Sequence, residues 1–342
     1  MTATFRVSSF IYIIVNEVIL FSIFFDSMQE GDWFQNLHPA LESAVLEPFP
    51  VYNTLKTKGE LFQEVLSFDR PDIVLCEDDI PILVVERTSE VPSGHNVGQR
   101  FARLVAAVKS GIPTVYFGPY AAYKHGGLTQ GPRYMNLRLF YALKNMSKIY
   151  NTPVSIINWI VDQDYEIIRS DKKDIRIKEY LYLFFDLYMS VNFNELKRKI
   201  LISDFEEEQA SERKKFVSNE IRNPEQYDIP PDSVEIIKPH VLNADLASML
   251  GNNFHERETV IYNIGMKYIR SDPYTGTALM YVYLYCGSLE KKLRNMVLNF
   301  PNISIEMWRE ASLGLSRKDV RLYKIVADAI IFEDGVLSKE LL

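Results

Sequence analysis

Pro71-Asp72-Ile73-Val74-Leu75-Cys76, followed after the acidic turn Glu77-Asp78-Asp79 by Ile82-Leu83-Val84-Val85-Glu86-Arg87-Thr88, is the stretch from which the fold is read. Both runs are apolar and the second is rich in β-branched residues, so they predict adjacent strands joined by a tight turn. Side chains alternate along a strand, which puts Val84, Glu86 and Thr88 on one face and Val85 and Arg87 on the other. Each strand thereby ends in a carboxylate. A carboxylate at the edge of an apolar core is costly unless positive charge sits beside it. A divalent cation is the usual remedy, and two carboxylates with open water positions suit Mg²⁺.

Charge is unevenly spread around this pair. From Val91 through Val161 there is no Asp or Glu, while Arg100, Arg103, Lys109, Lys124, Arg133, Arg138, Lys144 and Lys148 supply positive charge. The chain is −7 overall, so the remainder carries −15 and whole-chain acidity says little about partners. An acid-free basic segment that begins just beyond two carboxylates suits a polyanion approaching a metal; a solvated helix face lacking acids is the plainer explanation.

Ser93-Gly94-His95-Asn96 offers a turn and helix N-cap, and Gly111 before Pro113 a stop. Between them Phe101, Leu104, Val105 and Val108 form an apolar stripe. Gln99, Arg100 and Arg103 lie off its centre, with Gln99 and Arg103 neighbours at i and i+4, either as a solvated face or beside the carboxylates. His95 either caps the loop or donates to a phosphate. Cys76 and Cys286 are far apart, so the sequence has neither zinc spacing nor a disulfide framework, and a bound metal should be oxygen-ligated. Tyr116–Tyr120 ends a further strand and leads to Tyr123-Lys124-His125-Gly126-Gly127, where glycines permit close backbone approach and Lys124 could hold a phosphate. Arg133 and Arg138 follow, then a helix over 135–149 with Leu139, Leu143 and Met146 inward, then an apolar strand at 154–161. Strands and helices alternating in this way predict an α/β core with a central mixed sheet flanked by helices.

Pro71-Asp72, a short spacer, and apolar-Val85-Glu86-x-Thr88 resemble the PD-(D/E)XK nuclease superfamily, and within it type II restriction endonucleases. The resemblance covers roughly residues 35–160. It implies a restriction-endonuclease-like core whose elements run as a helix over 37–46, a strand over 60–68, the Asp72 and Glu86 strands, a helix over 96–110 and a strand over 113–117. It further implies Mg²⁺-dependent hydrolysis of double-stranded DNA, in the cytoplasm, with a homodimer as one arrangement, since cutting both strands commonly uses two sites related by a two-fold axis. Asp72 and Glu86 would hold the metal, with the backbone carbonyl after Val85 assisting and Glu42 or Glu64 as possible additions. Gln99 and Arg103 would stand beside the site, and His95, Arg100, Lys109, Lys124, Arg133 and Arg138 would face DNA. The family carries Lys two positions beyond the Glu; here that position is Thr88. Either Arg100, Arg103 or Lys109 substitutes, or the site has lost activity. A repair or junction nuclease of the same fold, and a non-catalytic nucleic-acid-binding protein, are the alternatives.

The rest of the chain divides as follows. Residues 1–27 contain the apolar run Phe10–Phe25, read as an anchor, a buried element or a start called too early, with Met28 opening the soluble protein. The nuclease-like domain spans 28–202. A charged helix and linker occupy 203–232. A mostly helical C-terminal domain over 233–342, serving recognition or dimerisation, is expected from segments at 242–250, 259–269, 278–284 and 289–300, with a closing hairpin about Asp334-Gly335.

Overall fold

The computed structural model describes residues 20–67, 70–91, 96–125, 131–135, 137–217, 234–237, 248, 257–263, 294–313, 320, 323–324 and 327–342. Asp72 and Glu86 flank a hairpin formed by β3 (Ile73–Glu77) and β4 (Ile80–Arg87). Its two-residue turn places Asp78 and Asp79 at φ 47° and 66°, the left-handed geometry that matches strand twist in tight hairpins. Beyond β4, α4 (Asn96–Lys109) crosses over to β5 (Thr114–Gly118), which pairs parallel with β4. After a small hairpin, β6 (Ala121–Lys124) and β7 (Gly131–Tyr134), α5 (Leu137–Tyr150) returns the chain to β8 (Val154–Asn158), parallel to β5.

Two earlier strands complete this sheet: β1 (Phe21–Phe25) and β2 (Val45–Pro48). The order is β2-β1-β3-β4-β5-β8, with β1 antiparallel to β3 and parallel to β2. Of the three readings of the apolar run ending at Phe25, the buried element is the one that holds for residues 21–25. All five residues of β1 are buried, between β2 and β3. Residues 1–19 lie outside the described residues. The helix expected over 37–46 is instead a single 3-10 turn at Pro39–Leu41 followed by β2, and the helix preceding them is α1 (Met28–Gln35). Gly31 lets α1 lie directly on β1, since a Cβ there would fall 2.6 Å from the Phe25 ring. The strand expected over 60–68 is a helix. After α2 (Tyr52–Leu55), α3 (Glu60–Val65) inserts only Phe62 and Val65 into the core, a spacing that suits a short helix.

Helices cover both faces. On one side α1, α6 (Ile175–Tyr188) and α7 (Phe193–Leu201) bury Phe34, Phe184 and Leu196 against Val85, Val115 and Ile157. On the other, α3 packs Phe62 and Val65 on Val74 and Val84, while α4 and α5 pack Leu104, Val108, Leu143 and Met146 on Tyr116 and Ile156. The expected α/β architecture with a mixed central sheet is thus present. No helix among the described residues is long and apolar enough to cross a membrane.

The open edge at β8 is closed by α8 (Asp204–Val217). Its charged sequence reads as an exposed helix, yet Gln209 and Arg213 are buried. Gln209 Oε1 accepts from the Asn158 N–H at 3.2 Å, and Arg213 donates to the Ile156 carbonyl at 3.3 Å. These backbone groups point away from β5, and side chains satisfying them blunt an edge that would otherwise pair with other chains. Glu206, on the same helix, has a carboxyl oxygen out of water, and burial raises its pKa above the ordinary 4.5 despite Ser155 and Arg213.

The region after 233, expected to be mostly helical, is described only in part. Its described residues form a second mixed sheet, order β13-β12-β11-β10-β9, from β9 (Val234–Ile237), β10 (Thr259–Asn263), β11 (Asn295–Phe300), β12 (Ala329–Phe332) and β13 (Gly335–Ser338). Residues 259–263 and 295–300, expected within helices, are parallel neighbours. Of the other two expected helices, 278–284 lies outside the described residues, as does 242–250 apart from residue 248. The closing hairpin is present, with its turn at Glu333-Asp334 and Phe332 opposite Gly335. A helix, α9 (Ile305–Ser312), buries Trp308 in a core shared by both sheets, in which Val260, Met296 and Phe300 join Leu104, Leu143 and Met146.

Two outcomes follow. A chain started at Met28 lacks β1 and is expected to show no cooperative thermal transition by circular dichroism; a melt like that of the full chain would refute the assignment of β1 as a core strand. For Glu206, a raised folded pKa means the favourable neutral form is fully present below about pH 4.5 and is lost as pH rises through the folded value. Glu206→Gln is therefore expected to gain stability over the parent between pH 6 and 8 and to lose that advantage near pH 4, as read from urea midpoints.

Candidate functional site

Hairpin register brings the two acids together. Ile73 is opposite Val85 and Val74 opposite Val84, so Asp72 and Glu86 form the next facing pair at the carboxyl end of β4. Directly opposed residues on one face have Cβ atoms about 5 Å apart, and like charges there repel. Both are buried, Glu86 with 1 % exposure and Asp72 with 7 %.

Positive charge arrives from α4. Arg103 Nη1 lies 3.2 and 3.4 Å from the two carboxylate oxygens of Glu86 and 3.7 Å from Asp72 Oδ1. One nitrogen thus stands at the point on which both acids converge. The other Asp72 oxygen, Oδ2, accepts from the Arg87 N–H at 2.6 Å. Two carboxylates are oxygen donors of the kind that suits a hard divalent ion keeping several waters. Among the described residues no group of three or more His, Cys, Asp or Glu is placed to hold a metal, so water would have to supply the remaining positions.

Arg87 occupies the opposite face, as alternation requires. Its guanidinium lies 4.4 Å from the Trp33 ring centroid and 5.1 Å from that of Trp159. Phe117 stacks between the two indoles, 6.0 Å from Trp33 and 5.2 Å from Trp159. Trp33 Nε1 donates to Asp174, fixing the ring, and Lys173 pairs with the same carboxylate. Burial lowers the Arg87 pKa, opposed by Asp174, Glu30 and Asp72; a guanidinium nevertheless stays charged. This anchoring of the end of β4 had only one signal in the sequence, the alternation that sends Arg87 away from Glu86. Its aromatic partners come from distant segments.

Thr88 shares the Glu86 face but is buried, and its hydroxyl is engaged by the next turn. It donates to the Glu90 carbonyl at 3.1 Å and accepts from the Glu90 N–H at 3.0 Å. Its methyl lies over Gly118, where a Cβ would come within 2.6 Å. Of the three cations weighed as substitutes for the family's lysine, Arg103 is at the carboxylates. Lys109 is exposed at the far end of α4, six residues and about 9 Å along the axis. The side chains of Gln99, Arg100 and Arg138, and all of His95, lie outside the described residues. Glu64 bonds Ser110 at 3.0 Å and Glu42 is exposed after the 3-10 turn, so neither joins the pair.

The remaining basic residues form two groups. Lys124 and Arg133 sit on the β6–β7 hairpin, which springs from the carboxyl end of β5, the same end of the sheet as Glu86. Beside Lys124, the His125 ring pairs with the Glu166 carboxylate at 2.8 Å. Lys144 and Lys148 are exposed on α5; burial, together with Lys148, Arg213 and Lys214, lowers the Lys144 pKa. Lys148, Arg213 and Lys214 thus lie close enough to Lys144 to oppose its charge.

Comparison with protein-family models, curated proteins and solved structures finds no match to this chain.

Replacing Arg87 with Ala removes the cation from between two indoles while leaving its backbone N–H on Asp72. The expected cost is about 1–2 kcal/mol in urea unfolding, and an unchanged midpoint would show the stack to be energetically idle.

Proposed function

We propose that the protein is a Mg²⁺-dependent DNA endonuclease, of the restriction-endonuclease-like kind that the sequence resembles, acting on double-stranded DNA inside the cell. The observation that carries this reading is the facing of Asp72 and Glu86 at the carboxyl end of β4 with the Arg103 guanidinium where they converge. The strand order β1-β3-β4-β5, antiparallel, antiparallel, then parallel through the α4 crossover, supports it. Parallel strand ends of this kind commonly bear ligand sites in α/β proteins.

In this reading Asp72 and Glu86 would hold Mg²⁺, which when bound would supply Lewis acidity and lower the pKa of coordinated water. Hydrolysis forms a water-derived O–P bond as a phosphodiester O–P bond breaks. The negative charge that builds on the phosphoryl oxygens needs a fixed positive partner, and Arg103 stands nearest. Lys124 and Arg133 are placed to hold flanking phosphates, contacts that orient DNA without reading its sequence. A homodimer presenting two sites belongs to the same proposal. A second reading, nucleic-acid binding without cleavage, is favoured by one observation: Thr88 stands in the place of the family's lysine with its hydroxyl already engaged.

Incubating supercoiled plasmid with the purified protein separates these. Cleavage in Mg²⁺ but not in EDTA is expected, with discrete fragments for a sequence-specific enzyme and smears or nicks for a structure-directed one. Asp72→Ala and Glu86→Ala should each lower the rate by roughly a hundredfold or more. Intact but retarded plasmid would leave the binding reading, and parental rates in both variants would remove these acids from the chemistry.

A further inference from the structure

We propose that Arg103 is a resident counter-ion that occupies the divalent-cation position between Asp72 and Glu86 and is exchanged for the metal when the site loads. This rests on the metal-dependent reading above. The Arg103 nitrogen is 3.2 and 3.4 Å from the Glu86 oxygens and 3.7 Å from Asp72 Oδ1, and the Arg87 N–H holds Asp72 Oδ2, leaving Oδ1 as the oxygen turned toward the cation. Glu86 is almost wholly out of water, so its charge is balanced by protein groups rather than by solvent. Arginine does not lose its proton in proteins, so the guanidinium cannot neutralise itself to make room. A divalent ion needs the same oxygens at about 2.1 Å. The two cations therefore exclude one another, and loading the metal requires Arg103 to swing out.

A route exists for that movement. The Arg103 side chain is 25 % exposed whereas that of Glu86 is 1 % exposed, so the guanidinium lies on the solvent side of the pair. Displaced outward on its flexible stem, it meets whatever anion approaches from that side. DNA phosphate would then draw Arg103 off the carboxylates and strengthen metal binding, while metal would release Arg103 to the phosphate. Reciprocal coupling of this kind is required by linkage.

The exchange is measurable without catalysis. Mn²⁺ accepts the same oxygen donors, and its free fraction is read directly from the electron paramagnetic resonance signal. In the absence of DNA, Arg103→Met is expected to bind Mn²⁺ about tenfold or more tightly than the parent, because apparent affinity falls by the fraction of molecules in which the site is competent. Adding Asp72→Asn should abolish the gain. Should the methionine variant fail to fold, Arg103→Lys, which keeps the charge on a less extensive donor group, carries the test and should also bind more tightly than the parent. Equal or weaker Mn²⁺ affinity in the folded Arg103 variant overturns the counter-ion role and leaves the nuclease reading standing if plasmid is cut. A tighter site in a protein that never cuts DNA sinks the nuclease reading alone. Mn²⁺ binding indifferent to Asp72 in every variant sinks both.

Discussion

Two carboxylates facing each other across a strand pair, out of water, cannot both stay ionised without a cation at the point where they meet. The fold around Asp72 and Glu86 is arranged to provide that point. The β3–β4 register sets the acids opposite one another, and the α4 crossover, obligatory between parallel β4 and β5, carries Arg103 back over the sheet to them. Removing one partner from such a buried group generally costs about 3–5 kcal/mol, far more than a surface ion pair contributes. The same triad that suits metal chemistry thus also fixes how α4 sits on β4.

The opposite face shows why the acids stay aligned. Glu86 and Arg87 are adjacent and point to opposite sides of the sheet. Arg87 is held on Trp33 and Trp159, and its N–H is held by Asp72. Rotation of the β4 end that would separate the acids would also pull a guanidinium off two indoles. At the other border of the parallel strands, α8 closes β8 with Gln209 and Arg213, so the sheet ends in satisfied backbone groups rather than in an open edge.

Legibility in the sequence followed local information. The β3–β4 hairpin, α4, β5, α5 and β8 were readable because each couples a clear period to a turn or cap signal, and the convergence of Asp72 and Glu86 followed from alternation along one hairpin. Arg103 was legible as one of three candidate cations, by its place on α4. Residues 21–25 stayed open among three readings because a fully buried strand has no alternation, and a continuous apolar run looks the same as part of an anchor. Residues 259–263 and 295–300 failed for the same reason in a region without helix caps to arbitrate. Residues 60–65 were too short for period to decide between helix and strand. The Trp33–Arg87–Trp159 stack had no local signal, since it joins residues from three distant segments.

The departure at Thr88 gains meaning from where Arg103 stands. A lysine two residues beyond Glu86 would be fixed to the same strand and would point from β4 in a direction set by the sheet. Here that position is closed by Gly118 against the Thr88 methyl and by the Glu90 turn. Positive charge is supplied instead from a helix, on a longer and partly exposed side chain. A strand-borne cation can flank a metal while remaining where it is. If the site binds a metal as proposed, a helix-borne arginine that bridges both acids stands where the ion would be, and the two would exclude one another. On that proposal the order of events differs from that of a strand-borne lysine: the positive group that stabilises the acids in the resting protein would meet an anionic ligand only after something else had taken over the carboxylates.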